Sequence, residues 1–425
     1  MRKMIWLIGP LCLFSILASA ADKKPSPAPK GSPYLFVWGG DEARQASDFL
    51  SVIDANPSSP TYGRIVATAP AGVAGTMPHH TEYEFPADRH LFANGWEAGH
   101  TFVFDLSHPL KPRLAANFTS RGGYSYPHSF VRLPNGDVLA TFQSHGDAYG
   151  PGGGLVEMTP TGTVARSGSG IDPSVSKDEI WPYSLEVDSK LGRAVSVNSP
   201  MGMPAWAKLP PGSWAKKRVD EQPTSTVQVW RLSDLSVVKT VKLPADSAKH
   251  ELWPAEPRLL PDGTMYVATF SCGLYRMNGL DTANPTAESV YSFPGDANKI
   301  EDMCFVPVVV GHYWVQTVSA LPGLIVLDIS NPAKPVEVSR LKIDGERYPI
   351  IHWIAADRNG DRLVISGAHD HWLLVAHIDR NTGKVTLDES FRTPGSAYPG
   401  IQFEGNVLPA GVGHMVMVHG ALFGK

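Results

Sequence analysis

The chain of 425 residues carries 37 basic and 41 acidic side chains, a formal net charge of −4, and 43% of its residues are hydrophobic. No basic block stands out, which argues against nucleic acid as a partner. After the first twenty residues no apolar run approaches the length of about eighteen that a membrane span needs, which argues against stable membrane insertion.

Residues Met1 to Ala20 open with Arg2 and Lys3, continue as an apolar run from Met4 to Leu17 and close on Ala18-Ser19-Ala20, the pattern of a cleaved secretory signal. The sequence therefore predicts a periplasmic or secreted protein. Residues 21–33 (ADKKPSPAPKGSP) hold no large apolar side chain and read as a disordered spacer, with 34–425 as one domain. After the signal only Cys272 and Cys304 remain, too few for a disulfide framework. The sequence does not fix whether they bridge, and the expectation is two buried free thiols.

The main organising signal is a repeat. Phe104-Asp105-Leu106-Ser107-His108-Pro109-Leu110-Lys111-Pro112 matches Leu327-Asp328-Ile329-Ser330-Asn331-Pro332-Ala333-Lys334-Pro335 at its Asp, Ser, Lys and both Pro positions. Each copy is flanked by apolar runs, as a strand, a tight turn and a strand would be. Weaker copies anchor on positions 54, 159, 233, 279 and 379, about every fifty residues. One interval is longer and contains residues 201–225, rich in Pro, Trp and Lys, which read as an inserted loop. Earlier in several units lies a second hairpin signal, at Pro134-Asn135-Gly136, Leu191-Gly192, Pro261-Asp262-Gly263 and Arg358-Asn359-Gly360. There Asn-Gly and Asp-Gly are expected to supply the positive φ values of two-residue loops. Two hairpins per unit make about four strands, helical periodicity is almost absent, and 37 prolines with 40 glycines suit strands and turns. The expected fold is all-β, a seven-bladed β-propeller.

In a propeller the segments ahead of the inner strands converge on one face of the axis. In chain order these are His79-His80, His128 in Tyr126-Pro127-His128, Trp181-Pro182-Tyr183, Trp253-Pro254-Ala255-Glu256, Glu301-Asp302 and His352. His128 and His352 each stand eight residues before their hairpin glycines, Gly136 and Gly360, and this shared register predicts a histidine cluster. A terminal strand returning to the axis would add His414 or His419. Imidazole donors suit copper, zinc, iron or nickel. Trp181, Glu256, Asp302 and His352 are candidates for the pocket around the metal, with Glu256 read as an acceptor that orients an imidazole or as an ion-pair partner of Arg258. His90, His100, His108, His312 and His377 read as surface or core histidines, and His145, His369 and His371 as loop residues. No nucleophile elbow is present, and the glycine run Gly150 to Gly154 lacks the Lys-Ser/Thr of a phosphate-binding loop.

Several segments, taken in order, resemble the selenium-binding protein and methanethiol oxidase family: Asp48 to Asp54 with Ser59-Pro60-Thr61-Tyr62-Gly63, His79-His80, Pro127-His128-Ser129, Gly152 to Val156, Val227 to Trp230, Glu256-Pro257-Arg258 and Asp328 to Pro332. The resemblance implies a seven-bladed propeller and, as in the bacterial enzymes, a periplasmic copper protein that oxidises methanethiol with O2 to formaldehyde, hydrogen sulfide and hydrogen peroxide. It also implies His79, His80, His128 and His419 as the metal ligands, with His414 as the competitor for the last place. The chain departs from the family after the paired histidine: Thr81-Glu82-Tyr83-Glu84-Phe85-Pro86 stands where Ser-Gly-Trp-Asn and a Cys-rich stretch are usual. That puts selenium or thiol chemistry there in doubt.

Three functions follow. The first is a copper-dependent oxidase of a small thiol or related sulfur compound, using O2. The second is a non-enzymatic propeller that serves as a metal- or protein-binding platform. The third, a zinc or iron hydrolase on the same histidines, is separated by the metal retained.

Overall fold

The computed structural model describes residues 31–424 other than 202–222, 296–298, 359, 369, 406–407 and 410. The expected signal peptide (1–20), most of the spacer and most of the inserted loop therefore lie outside the described residues, as does His369. Seven antiparallel sheets follow one another along the chain, as a seven-bladed propeller requires. Six blades start on their inner strand: Pro78–Thr81, Tyr124–Arg132, Pro182–Asp188, Pro254–Leu259, Cys304–Val310 and Ile351–Ala356. The remaining blade is built from both chain ends. Its inner strand is Val416–Phe423, paired with Tyr34–Asp41, Ser47–Asp54 and Ile65–Ala74. The ring is thus closed by hydrogen bonds between the first and last strands.

Sequence pattern and position in the blade agree. Middle strands lie between neighbouring blades and are buried along their whole length, as in Met265–Thr269. Outer strands alternate, as in Arg113–Phe118 and Val336–Lys342, because only one face meets protein. The repeated Asp has a structural role at the end of the third strand. Asp54, Asp105, Asp328 and Asp379 each accept the backbone N–H two residues on, at 2.8–2.9 Å, and start the turn to the outer strand.

Two expectations need correction. The loop Pro134-Asn135-Gly136 has three residues rather than two, with Leu133 and Asp137 hydrogen-bonded across it and only Gly136 at positive φ (90°). Pro134 fixes φ near −65°, which suits the first position of an ordinary turn and excludes the mirror-image one. Cys272 and Cys304 are joined as a disulfide. It ties the hairpin between the strands Met265–Thr269 and Gly273–Asn278 to the first residue of the next blade's inner strand, Cys304–Val310. The sequence alone gave no sign that two positions so far apart meet at a blade boundary.

Candidate metal centre

Each inner strand carries a β-bulge at the same level. On six of them it falls between the paired positions Pro78 and Thr81, Pro127 and Phe130, Pro182 and Leu185, Pro254 and Glu256, Cys304 and Pro307, and Ile351 and Trp353. On the last strand it falls between Val418 and Ala421. A bulge inserts an unpaired residue and re-aims side chains that a regular strand would send to alternate faces. Here the bulge residues include His79, His80, His128, His352 and His419. The histidines therefore lie within the inner strands, not ahead of them as the sequence suggested. Met77, Tyr126 and Ile350, two residues before His79, His128 and His352, hold φ of 60°, 59° and 47°, a left-handed conformation that costs such residues about 1–3 kcal/mol each.

Polar residues on the second strands hold this ring together from behind. Asn94 lies opposite the first bulge. Its Oδ1 accepts the His80 N–H at 2.6 Å, and its Nδ2 donates to the carbonyls of Pro127 at 2.9 Å and His128 at 3.2 Å. Thr141 links Ser129 to Tyr183 in the same way, and Thr317 reaches the His352 carbonyl. Ser366 donates to the His419 carbonyl at 2.6 Å. Neighbouring inner strands are thereby fixed to one another at the level of the imidazoles.

Ring nitrogens of His79, His80 and His419 lie within 4.8 Å of one another. His79 Nε2 is 3.1 Å from His128 Nε2. The ring of His352 stands 4.4 Å from that of His419 and 6.0 Å from that of His79, so this pocket candidate joins the cluster as a fifth imidazole. All five are at most 5% exposed. Aromatic rings wall the cluster. Trp96 and Tyr183 pack on His128 at 4.9 and 3.5 Å, Phe305 on His352 at 4.4 Å, and Trp353 on His80 at 4.9 Å.

The other sequence candidates divide. Between His414 and His419 the structure brings only His419 inward, on the closing strand, whereas His414 is exposed. Glu256 sits on the inner strand Pro254–Leu259, below the histidines. Its carboxylate accepts from Arg258 Nη1 at 2.8 Å, Ser184 Oγ at 2.6 Å and the Tyr83 hydroxyl at 2.9 Å. Trp181 stands at the rim, with its indole N–H on the Asp178 carbonyl and its ring beside Tyr149. Asp302 belongs to the 3-10 turn Ile300–Asp302 ahead of the inner strand Cys304–Val310, off the bulge.

The repeat Leu321 to Lys342, within residues 320–342, matches the LVIVD repeat model. The chain is 26% identical over 347 residues to a methanethiol oxidase from Hyphomicrobium sp, covering 78% of this chain and 74% of the relative. A methanethiol oxidase from Ruegeria pomeroyi is 31% identical over 137 residues, 30% of each protein. Among solved structures, a hypothetical selenium-binding protein from Sulfolobus tokodaii shares the fold, with a TM-score of 0.69 and 14% identity over 93% of this chain and 94% of that one. Over most of its length the chain is thus similar to the selenium-binding protein and methanethiol oxidase family.

The segment after the paired histidine, where the sequence departs from those relatives, forms the floor of the cluster. The Tyr83 ring stacks on Trp353 at 4.8 Å with planes 7° apart, the Arg258 guanidinium covers its other face at 4.0 Å, and its hydroxyl is 3.3 Å from His80 Nδ1. Burial, with the Glu256 charge beside it, pushes the Tyr83 hydroxyl well above its ordinary pKa, so it is a protonated donor. Beyond this floor six of the blades line a vestibule of about 550 Å³ at the opposite mouth of the channel, with Arg132, Glu186, Arg258 and Arg358 on its wall. Sequence reasoning missed Tyr83 and Asn94 and gave Tyr183 no role beyond its place in the converging segment Trp181-Pro182-Tyr183; Asn94 left a signal, a lone amide after the apolar run Leu91-Phe92-Ala93.

Proposed function

We propose that this protein is an exported copper-dependent oxidoreductase that oxidises a small thiol with O2. For methanethiol the balanced reaction consumes one O2 and one water and releases formaldehyde, hydrogen sulfide and hydrogen peroxide. The observation that carries the reading is the buried cluster of imidazoles on bulged inner strands. Its donors are imidazole nitrogens, with no carboxylate or thiolate among the described residues that form it. Such a set suits copper, with zinc or iron as alternatives, and not magnesium or calcium.

His79, His80, His128 and His419 would hold the ion, with His352 beside them. Copper supplies a redox couple, and an attraction for thiolate sulfur, that no side chain here provides. The protein's own residues supply position and dryness. Asn94, Thr141 and Ser366 fix the strands that carry the imidazoles, while Trp96, Tyr183, Phe305 and Trp353 exclude bulk water. So enclosed a cluster admits only a small substrate, in keeping with the name of the Hyphomicrobium relative.

The test is oxygen uptake by the purified, copper-loaded protein with methanethiol, and with ethanethiol as a larger thiol. Consumption of O2 with matching hydrogen peroxide and sulfide is the expected result. No uptake with either thiol, at full copper content, refutes the oxidase and favours the binding platform. Export is tested separately, by recovering the processed chain from the periplasm or the medium; retention in the cytoplasm refutes it.

A further inference from the structure

Tyr83 stands between a carboxylate and an imidazole, and the chemistry of its neighbours fixes the direction of each hydrogen bond. Glu256 is engaged by Arg258 at 2.8 Å and Ser184 at 2.6 Å, so as a carboxylate it can only accept from Tyr83, whose oxygen is 2.9 Å from both of its own. The single phenolic proton is thereby committed to Glu256. Toward His80, 3.3 Å away at Nδ1, the Tyr83 oxygen has only lone pairs to offer. Nδ1 must then carry the proton, and Nε2 carries the lone pair.

We propose that Tyr83 is a positioning residue for the histidine cluster, relaying the negative charge of Glu256 to Nδ1 of His80 and so holding that imidazole in the tautomer whose Nε2 can bind a metal. The inference rests on the metal reading for its purpose but not for its geometry. The tyrosine ring is well placed for this work. Clamped between Trp353 at 4.8 Å and the Arg258 guanidinium at 4.0 Å, it keeps its hydroxyl aimed with little freedom. Ser129 Oγ also lies near His80 Nδ1, at 3.4 Å, but it is closer to His128 Nδ1, at 3.0 Å. Each of these two imidazoles thus has its own hydroxyl, Tyr83 for His80 and Ser129 for His128. Outer partners of this kind typically change metal affinity ten- to a hundredfold when removed.

The direct test needs no metal. In the metal-free wild-type protein labelled with 15N-histidine, long-range 1H–15N correlation gives the tautomer of His80, assigned by the loss of its signals in His80→Gln. The expected result is a protonated Nδ1 and an unprotonated Nε2. Tyr83→Phe, which keeps the stacked ring, shifts His80 toward the other tautomer and weakens copper binding about ten- to a hundredfold in a competition titration. A wild-type His80 protonated on Nε2 overturns the proposal, and this spectrum decides even if Tyr83→Phe does not fold. An unchanged tautomer in folded Tyr83→Phe also overturns it and assigns the role to Ser129. The expected tautomers together with no copper binding uphold the positioning role and refute the metal reading alone.

Discussion

Replacing Glu256 with Ala removes the carboxylate on which Tyr83, Ser184 and Arg258 converge. The Arg258 side chain is only 9% exposed and would remain as a buried charge, with Glu186 the other acid acting on it. Breaking one side of a buried ion pair costs about 3–5 kcal/mol, and the residual attraction of Glu186 places the loss near the lower end, about 3 kcal/mol. Combining Glu256→Leu with Arg258→Met removes the stranded charge as well. The double variant should then lose only about 1–2 kcal/mol, from the Tyr83 and Ser184 hydroxyls that have lost their acceptor. Equilibrium unfolding in urea of wild type, Glu256→Ala, the single variants Glu256→Leu and Arg258→Met, and their double variant measures the cycle. A loss under about 1 kcal/mol in Glu256→Ala, or a double variant as unstable as the sum of its parts, would show that the pair is not mutually dependent.

Three further outcomes follow from the packing. Replacing Cys272 and Cys304 together with Ala opens a cross-link of sequence separation 32 and should cost about 3–4 kcal/mol of unfolding free energy; an unchanged urea midpoint contradicts this. Asp48 is wholly buried and accepts from Thr76, and burial pushes its carboxyl up to about 6. Because that value lies above the unfolded one of about 3.9, the stability linked to its protonated form is present in acid and lost as pH rises through 6. Asp48→Asn should therefore gain about 2–3 kcal/mol on wild type between pH 4 and pH 8, and a gap independent of pH counts against it. His377 sits 3.3 Å from Asp388 and 3.4 Å from Asp361, and the Asp388 hydrogen bond raises its pKa. That contribution is complete below about 6.5 and vanishes as pH rises through the folded value. With the side chain 36% exposed and screened by solvent, His377→Gln should lose less than about 1 kcal/mol at pH 5.5 and nothing at pH 9.

The fold was largely legible because the repeat has a local cause. Asp105 and Asp328 cap the same turn in two blades, and the Gly136 and Gly263 hairpins recur at the same place within their units. The histidines were legible for the same reason, since His128 and His352 keep one register to their hairpins. The details were hidden where the cause is long-range. No local signal marks the bulges that place His79, His80, His128 and His419 inside the strands. Cys272 and Cys304 meet only because two blades abut. His419 was separable from His414 only once the last strand was paired against Tyr34–Asp41, which brings His419 inward and leaves His414 exposed. Tyr83 lies in the segment where resemblance to the family fails, so its contact with His80 and Glu256 could come only from the folded chain.

Whether the buried imidazoles hold copper is decided by elemental analysis of copper-loaded, desalted wild type beside His79→Ala, His419→Ala and His414→Ala. About one copper per chain is expected in wild type and in His414→Ala, with loss of the metal in the other two. Equal copper in all four proteins, or loss on replacing His414, would contradict that assignment.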